Sequence, residues 1–111
     1  MKLPNNSKAV VNEDKIKDYI LNRSHPDGSH KAKYFESFGF NVNHSDILSE
    51  SLIEHSIEND VIKVIETNYG TKYIVEGKIK TPDKRNPKVR TIWFIESNEN
   101  IPKFITVYPR K

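Results

Sequence analysis

The spacing of apolar residues changes once along this chain, at Asn59, and no other feature constrains the fold as much. Before that point the spacing is helical. After a short extended lead over Leu3–Val11, Ile16, Tyr19 and Ile20 predict a helix over 13–21, entered from an Asn12 cap with Glu13 and Asp14 in its first turn. The loop Asn22–Gly28, punctuated by Pro26 and Gly28, stops it. Ser29 is placed to cap a second helix over 30–38, with Gly39 as its C-terminal stop. Ser45 is placed to cap a third over 46–58, where Leu48, Leu52 and His55 form one stripe. Beyond Asn59 the period falls to two. Segments 61–65, 72–80, 89–96 and 104–108 are alternating or β-branched, and the connections between them are turn-rich and of hairpin length. Helices gathered ahead of strands predict an α+β fold: three N-terminal helices packed on a four-stranded antiparallel meander sheet.

A chain of 111 residues is expected to form a single domain, 1–111. It has no cysteine, which excludes disulfide scaffolds, thiol catalysis and cysteine-ligated zinc. No apolar run approaches the roughly 20 residues of a membrane span, so no membrane association is expected. Met1–Asn6 lacks the apolar stretch of a signal peptide, and the expected compartment is the cytoplasm. The net charge of +3 is unevenly distributed: +2 over 1–40, −5 over 41–70 and +6 over 71–111. In the expected fold the acidic third helix lies away from a basic sheet, and Lys31 adds charge from the opposite wall of a cleft. The basic run Lys72, Lys78, Lys80, Lys84, Arg85, Lys88 and Arg90, with Tyr73 and Trp93 nearby, fits a nucleic-acid surface. A charged hairpin loop over 81–88 serves solubility equally well.

Candidate chemistry concentrates in His25-Pro-Asp-Gly-Ser-His-Lys-Ala-Lys-Tyr-Phe35. Ala32, Tyr34, Phe35 and Phe38 mark the apolar face of the second helix, and Lys31 falls within that face in the first turn, where the helix dipole disfavours a cation. Such a lysine either forms an anion site with local backbone N–H groups or lays its stem over apolar surface with its head in water. His25, in the preceding loop, carries an imidazole able to exchange a proton near neutral pH, or is a solvated turn residue. His30 is offset from Lys31 by about 100° around the helix and is a weaker substrate-binding candidate. His55 reads as a satisfied histidine at the core edge and His44 as a loop residue. The histidines show no H-x-x-x-H spacing, so no metal and no cofactor are expected. On the third strand, Val89, Thr91, Trp93 and Ile95 share one face and Arg90, Ile92, Phe94 and Glu96 the other. On the fourth, simple alternation puts Phe104, Thr106 and Tyr108 on one side and Ile105 and Val107 on the other. Arg90, Thr106 and Tyr108 are then candidate pocket residues, or ordinary strand residues.

The residues His25, Pro26, Gly28, Lys31, Ala32 and Phe35 resemble the H-P-x-G-x-x-K-A-x-x-F signature of a small bacterial family of uncharacterised, toxin-like domains. The resemblance extends over nearly the whole chain, from Met1-Lys2-Leu3-Pro4-Asn5 to Trp93 and Thr106-Val107-Tyr108-Pro109. The order of helices then four strands is similar to the barnase–EndoU–colicin–RelE group of metal-independent ribonucleases. The resemblance implies an endoribonuclease toxin of a toxin–antitoxin or polymorphic-toxin system, with RNA as substrate and a small antitoxin or immunity protein as partner. His25 would be acid or base, Lys31 would hold the phosphate, and Arg90, Thr106 or Tyr108 would complete the pocket. His30 or Tyr108 would fill the second proton-transfer role, and His30, Arg90 and Trp93 would touch substrate. The alternative is a non-catalytic module that binds a protein or nucleic-acid partner.

Overall fold

The computed structural model of the protein describes residues 1–26 and 28–110; Asp27, in the expected Asn22–Gly28 loop, and Lys111 lie outside them. The architecture is the expected α+β arrangement. Helix α1 (Glu13–Lys15) continues into a π-helical segment, Ile16–Ile20. Helices α2 (Ser29–Glu36) and α3 (Ser45–Glu58) follow, and then strands β1 (Val61–Glu66), β2 (Gly70–Lys78), β3 (Lys88–Glu96) and β4 (Lys103–Pro109). The strands pair antiparallel in chain order, β1-β2-β3-β4. No helix among the described residues is long and apolar enough to cross a membrane.

The Asn12 cap forms as the sequence predicts, its side chain accepting from the Asp14 N–H at 2.9 Å. Gly39 ends the second helical region in the left-handed region, φ 101°, with the Phe40 N–H reaching back to the Phe35 carbonyl. Two expected caps differ. Ser29 is the first residue of α2, and Gly28, which has no side chain, holds the cap position. The Ser45 hydroxyl donates instead to the Glu13 carboxylate at 3.3 Å, tying α3 to α1.

Leu48 and Leu52 of α3 are fully buried with Val75, Val89, Trp93, Phe104 and Val107 of the sheet. His55 crosses the same boundary. Its Nε2–H donates to the Gly77 carbonyl at 3.0 Å, and its Nδ1 accepts from the Thr91 hydroxyl at 3.1 Å. The Thr91 oxygen in turn accepts from Trp93 Nε1–H at 2.9 Å. The expected core-edge histidine is therefore buried and fully satisfied, and burial holds its pKa below the ordinary histidine value. Lys80 joins α3 to the sheet from outside, 2.6 Å from Glu54 and 3.2 Å from Glu58.

The face pointing away from α3 carries three rows of neighbours. One row is Glu76, Arg90 and Tyr108; the next is Lys63, Ile74, Ile92 and Thr106; the third is Ile65, Lys72, Phe94 and Lys103. A β-bulge between the Ile92 and Trp93 pairings leaves Ile105 without an opposite residue. This corrects the alternation expected for β4. Phe104 and Val107, three apart, both pair on the core side, whereas Thr106 and Tyr108 fall on the open side with Arg90.

Candidate active site

Gly28 brings the pieces of the site together. A Cβ at this position would lie 2.0 Å from the Tyr19 carbonyl oxygen, so only glycine lets the start of α2 rest on the π-helical segment. That approach brings both His25 and Lys31 into contact with Tyr19. The His25 ring packs on the Tyr19 ring at 4.8 Å between centroids, and its Nδ1 accepts from the Gly28 N–H at 3.0 Å. Neutral His25 therefore carries its proton on Nε2. One helical turn on, the half-buried Lys31 ammonium donates to the Tyr19 hydroxyl at 2.7 Å and to Thr106 Oγ1 at 2.8 Å. At 4.9 Å from the ring centroid, the ammonium meets Tyr19 at the hydroxyl and not over the ring face. No carboxylate lies within ion-pair distance of Lys31 among the described residues. Two neutral oxygens take two of the ammonium's three N–H donors, and the third has no partner among the described residues.

The neighbouring row is a second charged group. Glu76 Oε1 lies 3.4 Å from Arg90 Nε and 2.7 Å from Arg110 Nε. Desolvation works against its ionised form, but the two guanidiniums prevail and hold the carboxyl below the usual range. Arg90 is held above its ordinary value, first by the Tyr108 hydroxyl beside it and then by Glu76. Beyond Tyr19 an open cleft of about 680 Å³ runs between the N-terminal helical segment and β4, lined by Asp14, Asp18, His25, Phe104 and Ile105 among others.

Of the residues singled out in the sequence, Lys31 and Thr106 are in direct contact, with His25 one ring away. Arg90 and Tyr108 sit together in the adjacent row. His30 is exposed and makes no hydrogen bond with the described residues. Trp93 is fully buried against Phe104 on the α3 side, because β3 alternation turns it away from Arg90; it does not line the open face. Tyr73, paired with Trp93, points the same way. Tyr19 and Glu76 were absent from the sequence candidates. Tyr19 reads as part of an apolar stripe, and Glu76 becomes visible only once β2 is set in register opposite Arg90. No cluster of three or more histidine or carboxylate side chains that could hold a metal ion occurs among the described residues.

Among solved structures, the chain is similar to one from a contact-dependent growth inhibition toxin–immunity protein complex from Klebsiella pneumoniae 342. Identity is 18% and TM-score 0.73, with 96% of this chain and 97% of that chain covered. At that identity the likeness is one of fold. No curated protein matches the sequence. A family model described as a domain of unknown function matches residues 2–111.

Proposed function

We propose, from the premise that this chain belongs to the DUF6883 family, that it is a metal-independent ribonuclease acting as a toxin. The observation that carries this reading is the Lys31 ammonium, fixed by Tyr19 and Thr106, without a carboxylate partner among the described residues and one row from Arg90 and Tyr108. Two cations fixed on neighbouring rows suit the charge that builds on a phosphodiester as it becomes five-coordinate.

In this reading Glu76, ionised at neutral pH, takes the proton of a ribose 2′-hydroxyl. The 2′-oxygen bonds to the adjacent phosphorus and the bond from phosphorus to the 5′-oxygen breaks. The Lys31 ammonium gives that oxygen its remaining proton, and the Tyr19 hydroxyl then donates to the amine left behind. Arg90 and Tyr108 hydrogen-bond the phosphate oxygens, and His25, packed on the Tyr19 ring, holds that residue in place. The products are a 2′,3′-cyclic phosphate and a 5′-hydroxyl. Glu76 on β2 and Lys31 at Thr106 on β4 flank β3 and its Arg90, which suits an in-line displacement. The fold likeness to a chain of a toxin–immunity complex supports the toxin role and a cognate immunity protein as partner.

Total RNA incubated with the purified protein, with and without EDTA and beside Lys31→Met and Glu76→Gln, tests the reading. Cleavage is expected to survive EDTA, to leave cyclic phosphate ends, and to vanish in both variants while they melt like the parent. An absence of cleavage, with no growth defect on expression, overturns the ribonuclease; loss on EDTA overturns its metal independence.

A further inference from the structure

The end of the open face farthest from Glu76 holds an arrangement that the reaction above does not use. Phe94 lies in register between Lys72 on β2 and Lys103 on β4. Its ring edge rests over Gly70, where an added Cβ would come within 2.8 Å of Phe94 Cζ. Tyr69, at the tip of the β1–β2 hairpin, is 81% exposed, the most open of the large apolar side chains. Tyr69 and Phe94 line one cleft of about 410 Å³ together with the amides of Asn68 and Asn98. The carboxylates on the far wall, Glu96 and Glu99, are engaged by Lys103 at 3.5 and 3.2 Å. Lys72 has no ion-pair partner among the described residues, and neither does Lys63 in the next row.

We propose that this cleft is a second RNA subsite, in which an unpaired nucleobase stacks on Tyr69 and Phe94 and the flanking phosphate lies on Lys72. Aromatic rings bind any base through its face, but only when the base is out of a duplex, so the substrate class is single-stranded RNA or an unpaired loop. The amides of Asn68 and Asn98 supply both donors and acceptors to a base edge. Phe94 is four residues from Arg90 along β3, about 13 Å, so the subsite engages nucleotides beyond the scissile bond. The alternative occupant, an acidic protein, is less well matched: Tyr69 stands alone at a hairpin tip, a shape suited to stacking on a single base. The inference rests on the ribonuclease reading only for the identity of the polymer.

A labelled 2′-O-methyl octanucleotide is the probe, since it has no free 2′-hydroxyl and stays intact whether or not the protein cleaves RNA. By fluorescence anisotropy, Tyr69→Ala and Lys72→Gln are each expected to weaken binding about 5–10-fold, while Lys84→Gln, the same charge change in the β2–β3 connection at the other end of the sheet, does not. Lys72→Gln is also expected to lower the slope of log affinity against log salt by about 0.7, one phosphate contact. The same sequence in a duplex is expected to bind more weakly. Absence of binding by the parent, equal affinity for duplex and single strand, or unchanged affinity in both variants overturns the proposal. Affinity lost in both variants of a protein that cleaves nothing leaves the subsite standing and removes the ribonuclease.

Discussion

Lys31 and Thr106 are 75 residues apart in sequence and 2.8 Å apart in space, joined by an ammonium-to-hydroxyl hydrogen bond. The contact ties the first turn of α2 to β4, an edge strand of the sheet, with Tyr19 as its third member. Thr106→Val removes the acceptor and keeps the shape. Cleavage is expected to fall about tenfold, as one positioning hydrogen bond is worth roughly 1–1.5 kcal/mol. Lys31→Met is expected to cost at least about 100-fold. Initial rates on a defined RNA, beside melting curves, check both.

The acid limb of the pH–rate profile reports on Glu76. Its carboxyl is held below the usual range by Arg110 and Arg90 against the cost of desolvation, so activity is expected to persist to a pH below the ordinary glutamate value of about 4.3. Arg110→Ala removes one cation, raises the Glu76 pKa and moves the limb to higher pH. A limb that stays in place in Arg110→Ala argues that another group takes the proton.

His55 makes stability depend on pH. Burial lowers its folded-state pKa, so between that value and the unfolded value of about 6.5 only the unfolded chain takes up the proton. Its contribution to stability is thus complete above about pH 6.5 and is lost as pH falls toward the depressed value. The melting temperature is expected to decline between pH 7 and pH 5, and to decline less steeply in His55→Gln.

Thr91→Val is expected to be costly despite its near-identical shape. The Thr91 hydroxyl donates to His55 Nδ1 and accepts from Trp93 Nε1, so its loss leaves two buried polar atoms without partners. Each such group costs about 1–3 kcal/mol. Urea denaturation is expected to show a loss of about 2–5 kcal/mol with an unchanged m-value.

Gly28→Ala tests whether the close approach to Tyr19 builds the site. The added methyl would collide with a main-chain oxygen, which cannot rotate away, and a destabilisation of about 1–3 kcal/mol is expected. If the protein remains folded, displacement of His25 and Lys31 from Tyr19 is expected to lower cleavage further than the melting shift explains.

The change of period at Asn59 was enough to lay out three helices and four strands, because burial of one helical stripe or one strand face leaves its mark on every turn of the chain. Alternation also sorted β3 correctly, with Arg90 and Trp93 on opposite faces; Trp93 was a substrate candidate through the family resemblance and the basic run beside it, neither of which says which face it occupies. On β4 the same rule misplaced Phe104, since the extra residue at Ile105 has no turn signal and shows only when β3 is alongside. Lys31 was legible as a cation in the wrong place. Its holders were not: Tyr19 and Thr106 are common residues in a stripe and a strand, and their hydroxyls acquire meaning from a contact between segments remote in sequence. Glu76 was missed for the same reason, being defined by register.

The burial of Trp93 on the α3 side has a practical consequence. It is the only tryptophan of the chain, and the sheet itself separates its indole from the open face. Its emission therefore reports whether the core is intact and is insensitive to what occupies the site. Folding and occupancy can be followed in one cuvette on separate signals, the first from this intrinsic fluorophore and the second from a label on the nucleic acid.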